Sequence, residues 1–254
     1  MYGCTWCWKI RRKLLNMKVD ILIIMAHPDD AELSCSGTIL KSINQGLSVG
    51  MIDLTEGELG TRGSAKIRLE EANQSKKILG INFRDNLGLK DGFFSINESS
   101  LLSLIKKIRL YSPKIVITNS QKDRHPDHEE ASKLVKKATF LSGLVKVKTE
   151  HKGIKQEPFR PIHLLYSIQN DYVKPDFIID ITNYYEKKID SVHCFKSQFY
   201  DPNSKEKESF ISSKEFLNFI ESRSVELGHA IGVKYGEGFT IESNINIQSL
   251  KDII

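Results

Sequence analysis

The sequence predicts an α/β fold built on a mostly parallel sheet with helices on both faces, and three observations predict it. Short, nearly unbroken apolar runs such as DILIIMA and KIVITN suit strands covered on both faces. Segments with apolar residues at helical spacing separate them, and the alternation repeats along the chain. Polar clusters follow the carboxyl ends of the strands, which is where open parallel sheets bind ligands. A chain of 254 residues with 40% apolar composition can bury such a core. A single domain is expected over residues 17–254, after a leader at 1–16.

The first strand runs from Asp20 to Ala26 and ends in HPDDAE. A helix is expected from Gly37 to Gln45, closed by Gly46, and LSVGMIDLT follows as a strand. EGELGTRGS, at 56–64, has no apolar period and is a loop at that strand's carboxyl end. A helix from Ala65 to Leu79 closes at Gly80, and INFRDNLG supplies a third strand. LLSLIKKIRLY is helical, Pro113 breaks it, and KIVITN returns to the sheet. SQKDRHPDH then leads into a helix over Glu129 to Phe140. Beyond it, strands are expected at IHLLYSI and DFIIDI, and helices at Asn183 to Lys196 and Ser213 to Leu227. The polar stretch Tyr200 to Ser213 is the candidate lid. Right-handed crossovers make the whole a Rossmann-like sheet with its site at the strand C-terminal ends.

Lys and Arg exceed Asp and Glu by 37 to 32, but Lys9, Arg11, Arg12 and Lys13 carry most of that excess before the first strand. The body is near neutral and has no electrostatic footprint for nucleic acid. No run of eighteen or more apolar residues exists, so a spanning helix is excluded. The leader lacks the order of charges and apolar residues of a signal peptide. Met17, directly before the first strand, is a candidate translation start, which would make the leader dispensable or disordered. Cys4 and Cys7 form a C-x-x-C with no partner pair nearby, and Cys35 and Cys194 have no adjacent base. A reduced, cytoplasmic protein fits. No G-x-G-x-x-G turn or phosphate-binding loop is present.

The chemistry lies in two clusters, His27-Pro28-Asp29-Asp30-Ala31-Glu32 and Arg124-His125-Pro126-Asp127-His128-Glu129. An imidazole and a carboxylate three residues apart, joined by an imidazole from another strand end, make a three-ligand set that suits a catalytic zinc with an open position. Mixed N and O ligands also accept Fe(II), Co(II) or Mn(II). A spare carboxylate and a spare histidine remain. Asp29 could take a proton from the attacking water, and His125 could donate one to the leaving nitrogen or stabilise the oxyanion. Asp127 could cap the helix and orient His125. Burying so many titratable groups is costly unless a cation or hydrogen bonds compensate them. His151, His163, His193 and His229 are not expected to be ligands.

AHPDDAE after one strand and HPDH after another resemble the PIG-L (LmbE-like) deacetylases, zinc enzymes that act on N-acetylglucosaminyl substrates. The resemblance runs from Met17 to about Phe239. It includes the G-T-I at Gly37 to Ile39, DLTEGELGTRG, IRLEEA, KSQF at Lys196 to Phe199, and GVKYGEGF. These additional stretches look most like the bacterial branch that deacetylates N-acetylglucosaminyl malate on the way to bacillithiol. The resemblance implies His27, Asp30 and His128 as metal ligands and Asp29 as general base. It implies His125 with Asp127 as the acid or oxyanion-stabilising pair, and Arg68 as a substrate contact. Arg62 and Arg124 are further candidates for the malate carboxylates. Phe216 stands where some relatives carry an oxyanion-stabilising tyrosine, so that role passes to the metal and His125, or to another tyrosine such as Tyr200. Relatives form trimers or hexamers, so a homo-oligomer is expected. Two alternatives stay open: a deacetylase of another N-acetylglucosamine-containing sugar, and a non-catalytic sugar- or nucleotide-binding α/β protein.

Overall fold

In the computed structural model, which describes residues 17–249, the first apolar run is β1 (Ile21–Met25), buried along its whole length. Its alternation sends Leu22 and Ile24 into one core layer and Ile21, Ile23 and Met25 into the other, so both faces of the strand need cover. The chain continues through α1 (Asp30–Asn44), β2 (Val49–Thr55), α2 (Ala65–Leu79), β3 (Phe83–Leu89), α3 (Glu98–Tyr111), β4 (Ile115–Thr118) and α4 (Pro126–Ser142). A small hairpin of β5 (Glu150–His151) and β6 (Ile154–Lys155) precedes β7 (His163–Ser167) and β8 (Phe177–Asp180). A 3-10 turn (Thr182–Tyr184) leads to α5 (Tyr185–Val192). A second turn (Phe210–Ser212) leads to α6 (Lys214–Ala230) and β9 (Gly236–Ile241). The leader, with Cys4, Cys7 and the Met1 or Met17 start, lies outside the described residues.

The main sheet has the order β3-β2-β1-β4-β7-β9-β8. Every pairing is parallel except the two made by β9. The chain leaves β1 for β2 on one side and reaches β4 on the other. The loops after β1 and β4 therefore part at the switch point of the sheet and open a crevice between them. The α3 and α4 side of the core holds Leu104, Ile108, Leu134 and Val135, and the α1 side holds Cys35, Ile39 and Phe239. No helix among the described residues is long and apolar enough to cross a membrane.

Several boundaries differ from expectation for physical reasons. The helix expected at Gly37 begins at Asp30, so the polar cluster forms its first turn. Helix α1 is buried on nearly every side and has no polar face to reveal its period. Its midpoint is held by tertiary partners. The Glu237 carboxylate, from β9, accepts the Gly37 and Thr38 amides at 3.0 and 2.7 Å, while the Lys188 ammonium donates to the Leu33 carbonyl at 2.8 Å. Lys188 and Glu237 also pair at 2.6 Å and are almost fully buried. Gly37 fits because a Cβ there would lie 2.8 Å from Ile181. Strand β9 falls outside the expected elements, since glycines at 236 and 238 weaken the strand pattern.

The helix expected from Glu129 starts at Pro126, where proline suits the first helical position. The one expected over Asn183 to Lys196 is shorter, and His193 is its exposed C-cap. Helix α2 keeps its expected bounds: Ser64 accepts the Ile67 amide and Gly80 closes the helix at φ 74°.

A buried charge that loses its partner is left uncompensated. Glu237→Ala is therefore expected to cost about 3–5 kcal/mol of stability. Urea denaturation measures it, and a loss below about 1 kcal/mol, the scale of an exposed pair, would contradict this account of α1.

Candidate active site and metal centre

The crevice between the β1 and β4 loops is a cavity of about 370 Å³. His27, Asp29 and Asp30 enter it from the end of β1 and the start of α1, and Arg124, His125 and His128 from the loop after β4 and the first turn of α4. Asn119 stitches the two strand ends together. Its Oδ1 accepts the Ala26 amide at 2.8 Å, and its Nδ2 donates to Asp30 Oδ2 at 3.0 Å. Gln169, after β7, donates to Asp30 Oδ1 at 3.0 Å.

Asp30 is the hub. Its Oδ2 lies 3.5 Å from His27 Nδ1 and its Oδ1 lies 3.1 Å from His128 Nε2. Ligands at about 2.0–2.1 Å from a tetrahedral zinc stand roughly 3.3 Å apart, so these separations match such a donor set. The outward nitrogens of both imidazoles meet carboxylates. His27 Nε2 is 3.0 Å from Asp91 and 3.2 Å from Asp127, and His128 Nδ1 is 3.3 Å from Asp123. Such outer carboxylates fix ring orientation and raise ligand basicity. Among the described residues, the donor atoms close enough to share an ion form two groups, His27 with His125 and His128, and His27 with Asp91 and Asp127; Asp30 is in neither.

The electrostatics favour a cation. Burial disfavours the charged form of His27, yet Asp127, Asp30 and Asp91 push its pKa well above the usual histidine value. His128 is likewise pushed up to about 9, burial being outweighed by Asp30 and Asp123. Burial raises the Asp30 carboxyl, but His128 and His27 hold it well below the carboxylate range. The cluster thus stabilises positive charge at the point where Asp30 meets the two imidazoles. His27, Asp30 and His128 fit a divalent cation in donor chemistry and charge, the two imidazoles facing different oxygens of Asp30.

Asp29 stands beside this centre in an unusual backbone state, with φ at 114°. Such a conformation costs a non-glycine residue about 1–3 kcal/mol and is held only by its surroundings. Burial raises the Asp29 carboxyl to about 7, against the opposing charge of Arg68. A carboxylate near neutrality is well matched to accepting a proton. His125 is the N-cap of α4, and its Nδ1 accepts the Asp127 amide at 3.3 Å. A backbone amide only donates, so Nδ1 is bare and the neutral ring carries its proton on Nε2. Burial, with the nearby His27 and His128, lowers its pKa and favours that neutral form.

The structure relocates several expected roles. His125, not Asp127, is the helix cap, and the Asp127 carboxylate turns to His27 and to the Gly92 amide at 2.8 Å instead of orienting His125. Arg62 does not line the cavity; it is buried under the 200–213 segment, donating to the Phe199 carbonyl at 3.3 Å, to Ser204 and to Glu206. That segment, expected as a lid, gives the cavity Ser209, Phe210 and Ile211. Arg124 is exposed, with its guanidinium 4.1 Å from the Phe210 ring. Arg68 is buried at the cavity wall beside Asp29. Phe216 lines the cavity and Tyr200 does not, so no tyrosine is available to an oxyanion among the described lining residues.

Sequence reasoning missed Asp91, Asp123, Asn119 and Gln169. All four follow strands of the parallel set at their carboxyl ends, the same positional rule that selected the two clusters. Glu32, in contrast, belongs to a buried network with Ser75, Arg84 and Asp53 beneath α1.

A family model described as PIG-L, GlcNAc-PI de-N-acetylase, matches residues 22–139, from β1 through most of α4. Diacetylchitobiose deacetylase of Thermococcus kodakarensis is 29% identical over 76% of this chain and 74% of its own length. The 4-oxalmesaconate hydratase of Pseudomonas putida is 25% identical over 74% and 77%. A Bacillus anthracis protein named "Probable N-acetyl-alpha-D-glucosaminyl L-malate deacetylase 2" is 25% identical over 70% and 81%. Among solved structures, the conserved protein TT1542 from Thermus thermophilus superposes with a TM-score of 0.79 at 31% identity, covering 90% of this chain and 97% of that one. With a cluster at the switch point of the sheet that could hold a metal ion and these matches, the chain belongs to the PIG-L family and is a hydrolase of N-acetyl amide bonds.

Proposed function

We propose that the protein removes the acetyl group of N-acetylglucosaminyl malate, giving glucosaminyl malate and acetate, with zinc held by His27, Asp30 and His128. The observation that carries the chemistry is the strained Asp29 beside that ligand set. When bound, the cation supplies Lewis acidity to the amide carbonyl and to the attacking water. Asp29 takes the water's proton as attack proceeds and returns it to the sugar nitrogen as the C–N bond breaks, so that acetate and the free amine leave. His125 Nε2 donates a hydrogen bond to the oxygen that gains charge, in a cavity without a tyrosine to share that task. Leu33, Phe216, Phe219 and Ile220 give the cavity an apolar wall that excludes water.

The malate linkage is supported by the likeness to the Bacillus anthracis protein and by Arg124, an exposed cation on the cavity lining stacked over Phe210. A second reading, a chitobiose-type substrate, is supported by the higher identity to the Thermococcus enzyme. Acetate release by the zinc-loaded protein decides between them. At least tenfold higher kcat/KM, about 1.4 kcal/mol, is expected for N-acetylglucosaminyl malate over N,N′-diacetylchitobiose, and the reverse order would sink the malate assignment. Buried, free Cys35 and Cys194 support a cytoplasmic location, and a homo-oligomer is proposed on the resemblance alone.

A further inference from the structure

Arg68 is 5% exposed, and its terminal nitrogens are spent on the loop that carries Asp29. Nη2 donates to the Pro28 carbonyl and, at 2.9 Å, to Asp29 Oδ2, while Nη1 donates to the Gly57 carbonyl at 3.1 Å. Among the described residues that line the cavity, Asp29 alone has a positive φ without being glycine, and these contacts bracket it. The fork has a built receptacle. Gly57 itself has φ +65°, and a Cβ on it would lie 1.9 Å from Nη1 and 2.4 Å from Cζ, so only a residue without a side chain leaves room for the guanidinium.

We infer that Arg68 is a positioning residue: it clamps the strained Pro28–Asp29 turn so that one carboxylate oxygen is held and the other is presented to the reaction, with Gly57 as the cradle of the clamp. The inference rests on the deacetylase reading in which Asp29 is the base. The span of the guanidinium explains why arginine serves here. Nη1 holds the Gly57 carbonyl while Nη2 donates to both the Pro28 carbonyl and the Asp29 carboxylate, a separation of donors that the single nitrogen of a lysine ammonium does not reproduce. Among the described residues Asp29 Oδ2 receives its hydrogen bond from Arg68, and Oδ1 receives none. The clamp therefore also selects which oxygen faces the substrate.

The test uses zinc-loaded Arg68→Ala, Arg68→Lys and Gly57→Ala, assayed by acetate release on whichever N-acetyl sugar the wild-type protein hydrolyses. Each is expected to lose about 100-fold in kcat with KM changed less than about twofold, because the base is misplaced and the substrate contacts are not. Zinc content should stay stoichiometric, and added guanidinium should restore part of the kcat of Arg68→Ala. In an Asp29→Asn background Arg68→Ala should add no further loss. A raised KM with kcat retained, or additive losses, would assign Arg68 to substrate binding and overturn the inference. A crystal structure of Arg68→Ala decides the matter without turnover: Asp29 is expected to leave its positive φ, and its retention there refutes the clamp. If that variant does not fold, Arg68→Lys or Gly57→Ala carries the same crystallographic readout. A wild-type protein inactive on every N-acetyl sugar would instead defeat the deacetylase reading.

Discussion

Asp30→Ala is expected to release the metal and to lower kcat/KM by about 10⁴-fold. Asp30 is the residue both imidazoles face, at 3.5 and 3.1 Å, so its loss removes one proposed ligand and the carboxylate between the other two. Lewis-acid stabilisation is worth several kcal/mol, and each 1.36 kcal/mol is tenfold in rate, which gives a loss on this scale. The variant also strips partners from Asn119 and Gln169, leaving buried amides unsatisfied. Elemental analysis and acetate assays on the same preparation check both parts. A chelator should reproduce the kinetic effect in the wild-type protein, and added zinc should reverse it there but not in the variant. Stoichiometric zinc and full activity in Asp30→Ala would remove it from the ligand set.

Asp29→Asn is expected to separate chemistry from metal binding, with activity down about 10²–10⁴-fold and zinc content unchanged. Asparagine keeps the shape and can still accept from Arg68, but it cannot take up a proton. In the wild-type protein the rate should fall on the acid side as this carboxyl, raised to about 7 without a cation, becomes protonated. A bound cation moves that limb to lower pH, since positive charge favours the carboxylate. In Asp29→Asn the limb governed by this group should vanish. Measuring kcat against pH for both proteins tests it, and an unaltered acid limb in the variant would mean that another group is the base.

The centre of the parallel sheet was legible because β1 and β4 are continuous apolar runs, DILIIMA and KIVITN, whereas β3 is polar and half-buried at the sheet edge. The positions of His27, Asp30 and His128 followed from the same rule, since strand ends in such a sheet converge. What escaped was set by long-range contact. Helix α1 hides its first turn because burial on all sides erases the period, and its ladder is completed by Glu237 and Lys188 from far along the chain. Asp91 and Asp123 looked like ordinary loop acids, and only three-dimensional placement shows them behind the imidazoles. Arg62 carried a charge in a glycine-rich loop, a fair signal for substrate, but the segment after Phe199 captures it.

The carboxylate of Glu237 reaches α1 across a sequence separation of 200 residues, and the strand that carries it is the last element among the described residues. During synthesis, β1 through α4 emerge early and can pair locally, while the helix that bears Asp30 waits for a partner made near the end. The middle of α1 is thus held by a strand that lies between β7 and β8. A chain truncated before Gly236 can bury much of its core and still lack the lock on its chemistry.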